Sequence, residues 1–529
     1  MLGAVDPSEW MLTKAERANA QTRLDDAHPG DQAWSEGNLV RPLIHGSRYF
    51  PALYDAIEAT REGDLLFFTD WQGDADERLT GERGSEVVEV LGRADERGVD
   101  VRGLVWRSHL DQTGFFSREN RHLGEQLQKR GAEVLLDMRV RTGGSHHQKF
   151  VVIRHRDDPT RDIAFVGGMD LAHNRRDDDD HGGDPQPQPL TDEYGEHPPW
   201  HDVQVALQGP AVHDVETVFR ERWEDPTPLS QAPWRWLADK LRRLDTSPDP
   251  LPEQWPAPPE AGHHVVQLLR TYPNLRHGRD YPFARGGERS VARGYSKAVA
   301  RAERIVYVED QYFWGHDVAD VFAPTLRRHP ELRLVVVIPL YPDVGGLNRV
   351  AQQLGRERAI ETLMRVAPGR VAAYGIENHA GTPVYVHAKV CVVDDLWAST
   401  GSDNFNRRSW THDSELSAVV LDEKYARDLR LTLAAEHLDR LGEVELRGLH
   451  EVMADCVEPS GLYDAYAESA ARLEAWHRSG RAGDRPPGRL RPIPLPSLSP
   501  ASRRLARVPL EVVHDPDGRP GPLRGGRRY

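Results

Sequence analysis

Two copies of one short phrase, His147-Gln148-Lys149 and His387-Ala388-Lys389, lie 240 residues apart (387 − 147) in a chain of 529. Each leads into an apolar run, Phe150-Val151-Val152-Ile153 and Val390-Cys391-Val392-Val393. Each then reaches a turn of small residues, Gly167-Gly168-Met169-Asp170 and Gly401-Ser402-Asp403-Asn404. Imidazole can attack an electrophile or carry a proton, depending on how its second nitrogen is held. Lysine brings a compact cation with three donors, suited to a non-bridging phosphate oxygen. Two such pairs facing one another would divide a displacement at phosphorus, one histidine attacking and the other protonating the leaving group. A single His-x-Lys is common on protein surfaces; the duplication on matching runs is what argues for catalysis by His147, Lys149, His387 and Lys389.

The surrounding residues extend the candidate site. Gly167, Gly168, Gly401 and Ser402 are small enough for a phosphate to approach the backbone closely. With Asp170 and Asn404, which close the two turns, they form the expected phosphate-binding set. A carboxylate on the far imidazole nitrogen fixes the tautomer and supports the imidazolium. Asp202 and Glu415 follow the two turns at the starts of strand-like runs and are the candidate orienters, with Asp413 an alternative to Glu415.

These groups need a scaffold. Leu65–Thr69, Val101–Trp106 and Glu133–Leu136 read as strands alternating with helical patterns, so the chain is of the α/β class. Residues two apart on a strand share a face, which would point His147 with Lys149 and His387 with Lys389. A proline-rich stretch, 247–262, is the clearest linker. Beyond it the pattern restarts, with a helix over Glu288–Ala302, strands at Ile305–Glu309 and Leu334–Pro339, and a closing helix over Tyr425–Leu441. The expected organisation is an arm packed on the first half (1–31), a first half (32–246), the linker, a second half (263–450) and a C-terminal extension (451–529). After about residue 480 it turns rich in Arg, Pro and Gly, and that tail is expected to be largely extended or loosely packed.

Composition narrows the function classes. A net charge of −15 argues against broad nucleic-acid binding, which needs a basic face. No run of about 18 apolar residues marks a membrane span, and the first residues do not read as a secretory signal. Two cysteines, Cys391 and Cys456, make no disulfide framework. A soluble protein, cytoplasmic or peripheral to a membrane, is the expectation, with a monomer favoured.

The motifs together resemble the phospholipase D superfamily, whose signature is H-x-K-x4-D followed by a Gly-Ser or Gly-x-Asn/Asp turn. The second copy matches through His387, Lys389, Asp394, Gly401, Ser402 and Asn404. The first departs from it, because Arg154 stands where the motif aspartate belongs. Val308-Glu309-Asp310-Gln311-Tyr312-Phe313 and Pro199-Trp200-His201-Asp202-Val203 are similar to the eukaryotic-type branch, and the likeness runs from about residue 37 to 441. The resemblance implies two α/β/α sandwich halves related by a pseudo-two-fold axis. It also implies a metal-independent reaction through a phosphohistidine, with no cofactor and no metal ligand. Its substrate would be a phosphatidylcholine-like phospholipid at a membrane surface, its acceptor water or a small alcohol. It favours His147 as nucleophile and His387 as acid and base, and makes Asp394 a member of the site, though a largely structural one. Asp157, Asp158 or Asp162 could stand in for the aspartate missing from the first copy. Cardiolipin-synthase-like transfer, nuclease activity and non-catalytic lipid binding are the alternatives.

Other features have plainer expectations. Arg175 to His181 reads as a solvated charge run, although Asp184 and His201 nearby would allow a metal site. Trp71, Tyr312, Phe313 and Trp314 could meet acyl chains, hold a choline-like cation against their ring faces, or pack internally. From Arg478 onward, twelve arginines face four acidic residues, so the tail lies either on anionic lipid or on its own acidic protein.

Overall fold

Alternating apolar residues decide the layers. Leu65 and Phe67 pack on one face of their strand, Leu66 and Phe68 on the other, and the same split recurs in Val306 and Val308 against Ile305 and Tyr307. Strands buried on both faces need helices on both sides. The computed structural model describes residues 5–524 except 110–116, 231, 276–279 and 496–497, together with residue 529.

Among the described residues each half contributes seven strands in the same order, and the second adds a two-residue strand, Glu288–Arg289, beside His264–Tyr272. From the seam outward the first half runs Ser35–Ile44, Val203–Gln208, Ile163–Gly167, Phe150–Arg154, Leu65–Asp70, Asp100–Trp106, Glu133–Asp137. The second runs His264–Tyr272, Glu415–Leu421, Trp397–Gly401, Val390–Val393, Ile305–Glu309, Arg333–Val337, Val371–Ile376. In both, the inner ladders are antiparallel and the outer two parallel. The seam strands Ser35–Ile44 and His264–Tyr272 pair antiparallel, so the halves fuse into one continuous sheet. One hydrophobic core spans both halves beneath helices Ala211–Trp223 and Glu423–His437, while the opposite face carries a separate core in each half. This is the α/β/α pair with pseudo-two-fold order that the motifs imply.

Two expectations fail. The N-terminal arm lies chiefly on the second half, not the first. Leu12 exchanges hydrogen bonds with Gln267, and Lys297 Nζ donates to Ser8 and Met11 carbonyls. The arm feeds the seam strand, so both halves are within its reach. The C-terminal extension is packed rather than loose. Leu490–Pro492 adds to the free edge at Val371–Ile376, which would otherwise expose unpaired backbone. Its arginines pair with the body: Arg491 with Glu377, Arg519 with Asp317.

Candidate active site

The His-x-Lys phrases do not sit inside the ladders. Both lie just before their strands, because their backbone amides are committed across the molecule. His147 N–H donates to Ser414 O at 2.9 Å, and His387 N–H to His201 O at 2.7 Å. A bridge between His146 and Ser414 and a two-stranded ladder of Trp200–His201 with Tyr385–Val386 hold these contacts. Each histidine is thus fastened to the residue preceding an orienter of the opposite half.

The side chains follow the backbone and cross. His147 Nδ1 faces Glu415 Oε2 at 2.9 Å, and His387 Nδ1 faces Asp202 Oδ2 at 2.7 Å. Each half therefore supplies a histidine whose carboxylate comes from the other. Asp413, the alternative orienter, instead accepts Ser145 N–H and pairs with Arg408. Ser402 Oγ donates to Glu415 Oε2 at 2.6 Å and accepts Leu416 N–H, so it clamps the orienter and is spent as a donor to substrate.

The lysines point inward. Lys149 Nζ donates to His147 O at 2.9 Å and lies 3.6 Å from Asp170 Oδ1. Lys389 Nζ donates to His387 O and to Gln311 Oε1 at 3.4 Å. Each ammonium has a third donor for a phosphate oxygen. Burial, then the neighbouring lysine charges, holds both imidazoles well below the ordinary histidine range, so each is neutral at rest. Burial lowers Lys389 to about 8 and, with Asp413 nearby, raises Glu415 to about 8.

The small-residue turns serve a different purpose from the one expected. The amides of Gly167 and Gly401 donate to Lys149 O and Lys389 O, and those of Gly168 and Ser402 to Val203 O and Leu416 O. A Cβ on Gly168 would meet Asp202 Oδ1 at 2.2 Å, and one on Gly401 would meet Ser417 Oγ at 1.7 Å. The glycines let the orienter strand approach; their amides do not face a phosphate. Asp170 is no phosphate donor either. Its Oδ1 accepts Trp71 and Gln72 N–H, and its Oδ2 lies 3.5 Å from Arg175. Asn404 is buried, with its Oδ1 lacking a hydrogen-bond partner.

Asp394 lies at the far end of its strand from Lys389, in the left-handed region at φ 52°. It accepts backbone N–H bonds from Glu303, Arg304 and Ile305 and touches no reacting group. Arg154 is buried, paired with Asp162 and Glu216, and donates to Pro256 O of the linker. Of the three stand-in aspartates, only Asp162 joins that network; Asp157 and Asp158 are exposed.

Several participants escaped the sequence reading. Arg175 is buried, 4.1 Å over the Trp200 ring, and its charge also depresses His387. In the run expected to be solvated, only Asp178, Asp179 and Asp180 are exposed, whereas Arg175, Asp177 and His181 are buried. Phe313 and Trp314 are core residues; Trp71 and Tyr312 keep partial exposure. Trp71 sits edge-on to His147 at 5.8 Å.

Comparisons with known proteins bear on the family. The family model for phospholipase D matches residues 78–321, and that for the cardiolipin synthase, PLD-like domain matches residues 298–435. Phospholipase D beta 2 of Arabidopsis thaliana is 24% identical over 92% of this chain and 63% of its own length. Phospholipase D alpha 1 of rice is 26% identical over 75% of this chain and 63% of its own length. The chain thus spans a little under two thirds of these relatives. The crystal structure of phosphatidylserine synthase from Haemophilus influenzae superposes with a TM-score of 0.48 at 14% identity, covering 83% of this chain and 94% of that one. With a matching domain around each His-x-Lys phrase, the chain belongs to the phospholipase D superfamily, in its eukaryotic-type branch.

Proposed function

We propose that the protein is a phospholipase D, cleaving the distal phosphodiester of a phosphatidylcholine-like phospholipid to phosphatidic acid and the free headgroup. The observation that carries this reading is the crossed arrangement of two neutral imidazoles, each facing a carboxyl group from the other half, beside two inward lysines. The lone pair of His147 Nε2 attacks phosphorus while the bond to the headgroup oxygen breaks, and His387 delivers its Nε2 proton to that oxygen. His387, now neutral, takes a proton from water or an alcohol, which attacks phosphorus and returns the P–N electron pair to His147. The resting site offers a nucleophile but no acid. The anionic phosphodiester offsets the lysine charges and allows His387 to take up its proton on binding.

Access to a lipid aggregate is supported by the surface around the loop leading to His147. Arg408 donates to Gly143 O and to Val513 O, and the helical segment there exposes Leu505, Val508, Val512 and Val513. On another side His109 contacts Gly144 O, and Arg235 ties it to a helix exposing Trp234, Leu237 and Leu241. Clustered exposed apolar side chains of this kind fit a membrane surface. Among the described residues no helix is long and apolar enough to cross one.

Incubation with labelled phosphatidylcholine and ethanol tests the reading. Phosphatidylethanol is the expected product, since a phosphatidyl group held on His147 can pass to ethanol as well as to water. Transfer to phosphatidylglycerol but not to water would favour a cardiolipin-synthase-like transferase. Cleavage of DNA with every phospholipid left intact would overturn the lipid reading.

A further inference from the structure

Behind the catalytic cleft, three histidines and a glutamate converge where the halves meet. His45 Nε2 lies 2.9 Å from Glu436 Oε2, while His181 Nε2 and His201 Nδ1 lie 3.0 and 3.1 Å from Glu436 Oε1. All four side chains are buried, and their ligand atoms lie within 4.8 Å of one another. The three histidines come from the first half and Glu436 from helix Glu423–His437 of the second. We propose that this cluster is a structural zinc site that fastens the two halves and sets the position of His387.

The far sides of the imidazoles carry the argument. His201 Nε2 faces Glu309 Oε2 at 2.6 Å, and His181 Nδ1 faces Asp177 Oδ2 at 3.7 Å. Glu309 holds the His201 ring proton on the outer nitrogen and turns a bare lone pair toward the centre, as behind a metal-bound histidine, while the outer Nδ1 of His181 has no hydrogen-bond partner. That lone pair and a carboxylate then meet with no proton between them, an arrangement that a cation completes. His45 adds a third nitrogen, and its own outer Nδ1 is buried without a partner. Three imidazoles and one carboxylate are a tetrahedral zinc donor set. Bonds of about 2.0–2.1 Å place ligand atoms roughly 3.3 Å apart, so small outward shifts of these side chains admit the ion.

The site has a mechanical consequence. His201 O accepts the N–H of both His387 and Ala388, and His201 directly precedes Asp202. An ion holding the His201 ring therefore holds the backbone on which His387 and its orienter rest. The four ligands lie outside the reacting centre, so the ion takes no part in the phosphoryl chemistry.

Metal analysis of the purified full-length protein, followed by chelator treatment and reconstitution with Zn²⁺ or Co²⁺ alone, tests this. About one zinc per chain is expected, with Co²⁺ giving the intense visible bands of a tetrahedral centre and Zn²⁺ raising the melting temperature of the stripped protein. His45→Gln and His181→Gln should each cut metal content at least several-fold while His147→Gln does not, with circular dichroism reporting whether each variant folds. If folded wild-type protein takes up neither ion and its melting temperature ignores zinc, the proposal is wrong and the histidines are charged partners of Glu436 and Glu309. That readout needs no substrate, so it succeeds or fails independently of the phospholipase assignment.

Discussion

His147 and His387 have equivalent surroundings, so their division of labour is a question for single residues. With His147 as nucleophile, His387→Asn should keep the burst of product from a substrate whose leaving group is p-nitrophenol, which needs no acid, while steady turnover, which needs His387 as base, stays slow. His147→Asn should stay inactive on it. Burst kinetics on both substrates checks the assignment, and the opposite pattern would reverse it. Glu415→Gln presents an amide N–H to His147 Nδ1 and moves the ring proton to the attacking nitrogen. We expect kcat to fall about 10²- to 10⁴-fold with little change in stability. The alkaline limb has its own residue. Lys389, lowered to about 8 by burial, is charged below that pH and neutral above it. Its attraction for phosphate is therefore present at low pH and lost as pH rises through about 8, and kcat/KM should fall there. Arginine stays protonated, so whatever activity Lys389→Arg keeps should lack that limb.

At the scale of elements, the two copies of the signature differ where their strands turn. In the second half Asp394 secures the turn by accepting three backbone N–H groups from 303–305. In the first half Arg154 takes over by a different route, joining its strand to Asp162, to helix Ala211–Trp223 through Glu216, and to the linker through Pro256 O. Breaking one partner of a buried ion pair leaves an uncompensated charge. Arg154→Asp, which restores the family residue, should therefore destabilise the protein by about 3 kcal/mol in chemical denaturation. A stabilising outcome would show that a turn of the kind Asp394 makes can form here. The glycines belong to this scale too. Gly168 and Gly401 were legible as special positions, but what they make room for was not, because the neighbour that needs the space lies 34 or 16 residues on, at Asp202 and Ser417.

Over the whole molecule, the continuous sheet and the crossed histidine–carboxylate pairs make each half incomplete without the other. The exposed apolar residues of the C-terminal helix belong to the same scale, since they bear on how the body meets a lipid aggregate. Val512→Glu with Leu505→Glu should lower activity on vesicles several-fold and leave it unchanged on a soluble short-chain phospholipid. Vesicle sedimentation should track the loss. Equal losses on both substrates would remove the surface from the account.

The sequence by itself determined the reactive groups, their duplication, the α/β class and the order of the halves. Those properties are written locally, in motif spacing and in the alternation of apolar residues along single strands. It also pointed to Asp202 and Glu415 as candidate orienters, with Asp413 as an alternative, without saying which histidine each serves. Only the tertiary structure decided that, because the pairing joins residues 185 and 268 positions apart through backbone contacts between the halves. The same limit hid the convergence of His45, His181 and His201 on Glu436. No local pattern distinguishes a histidine that will be buried beside a distant carboxylate from one left in water, and only the closing of the two halves brings such charges together.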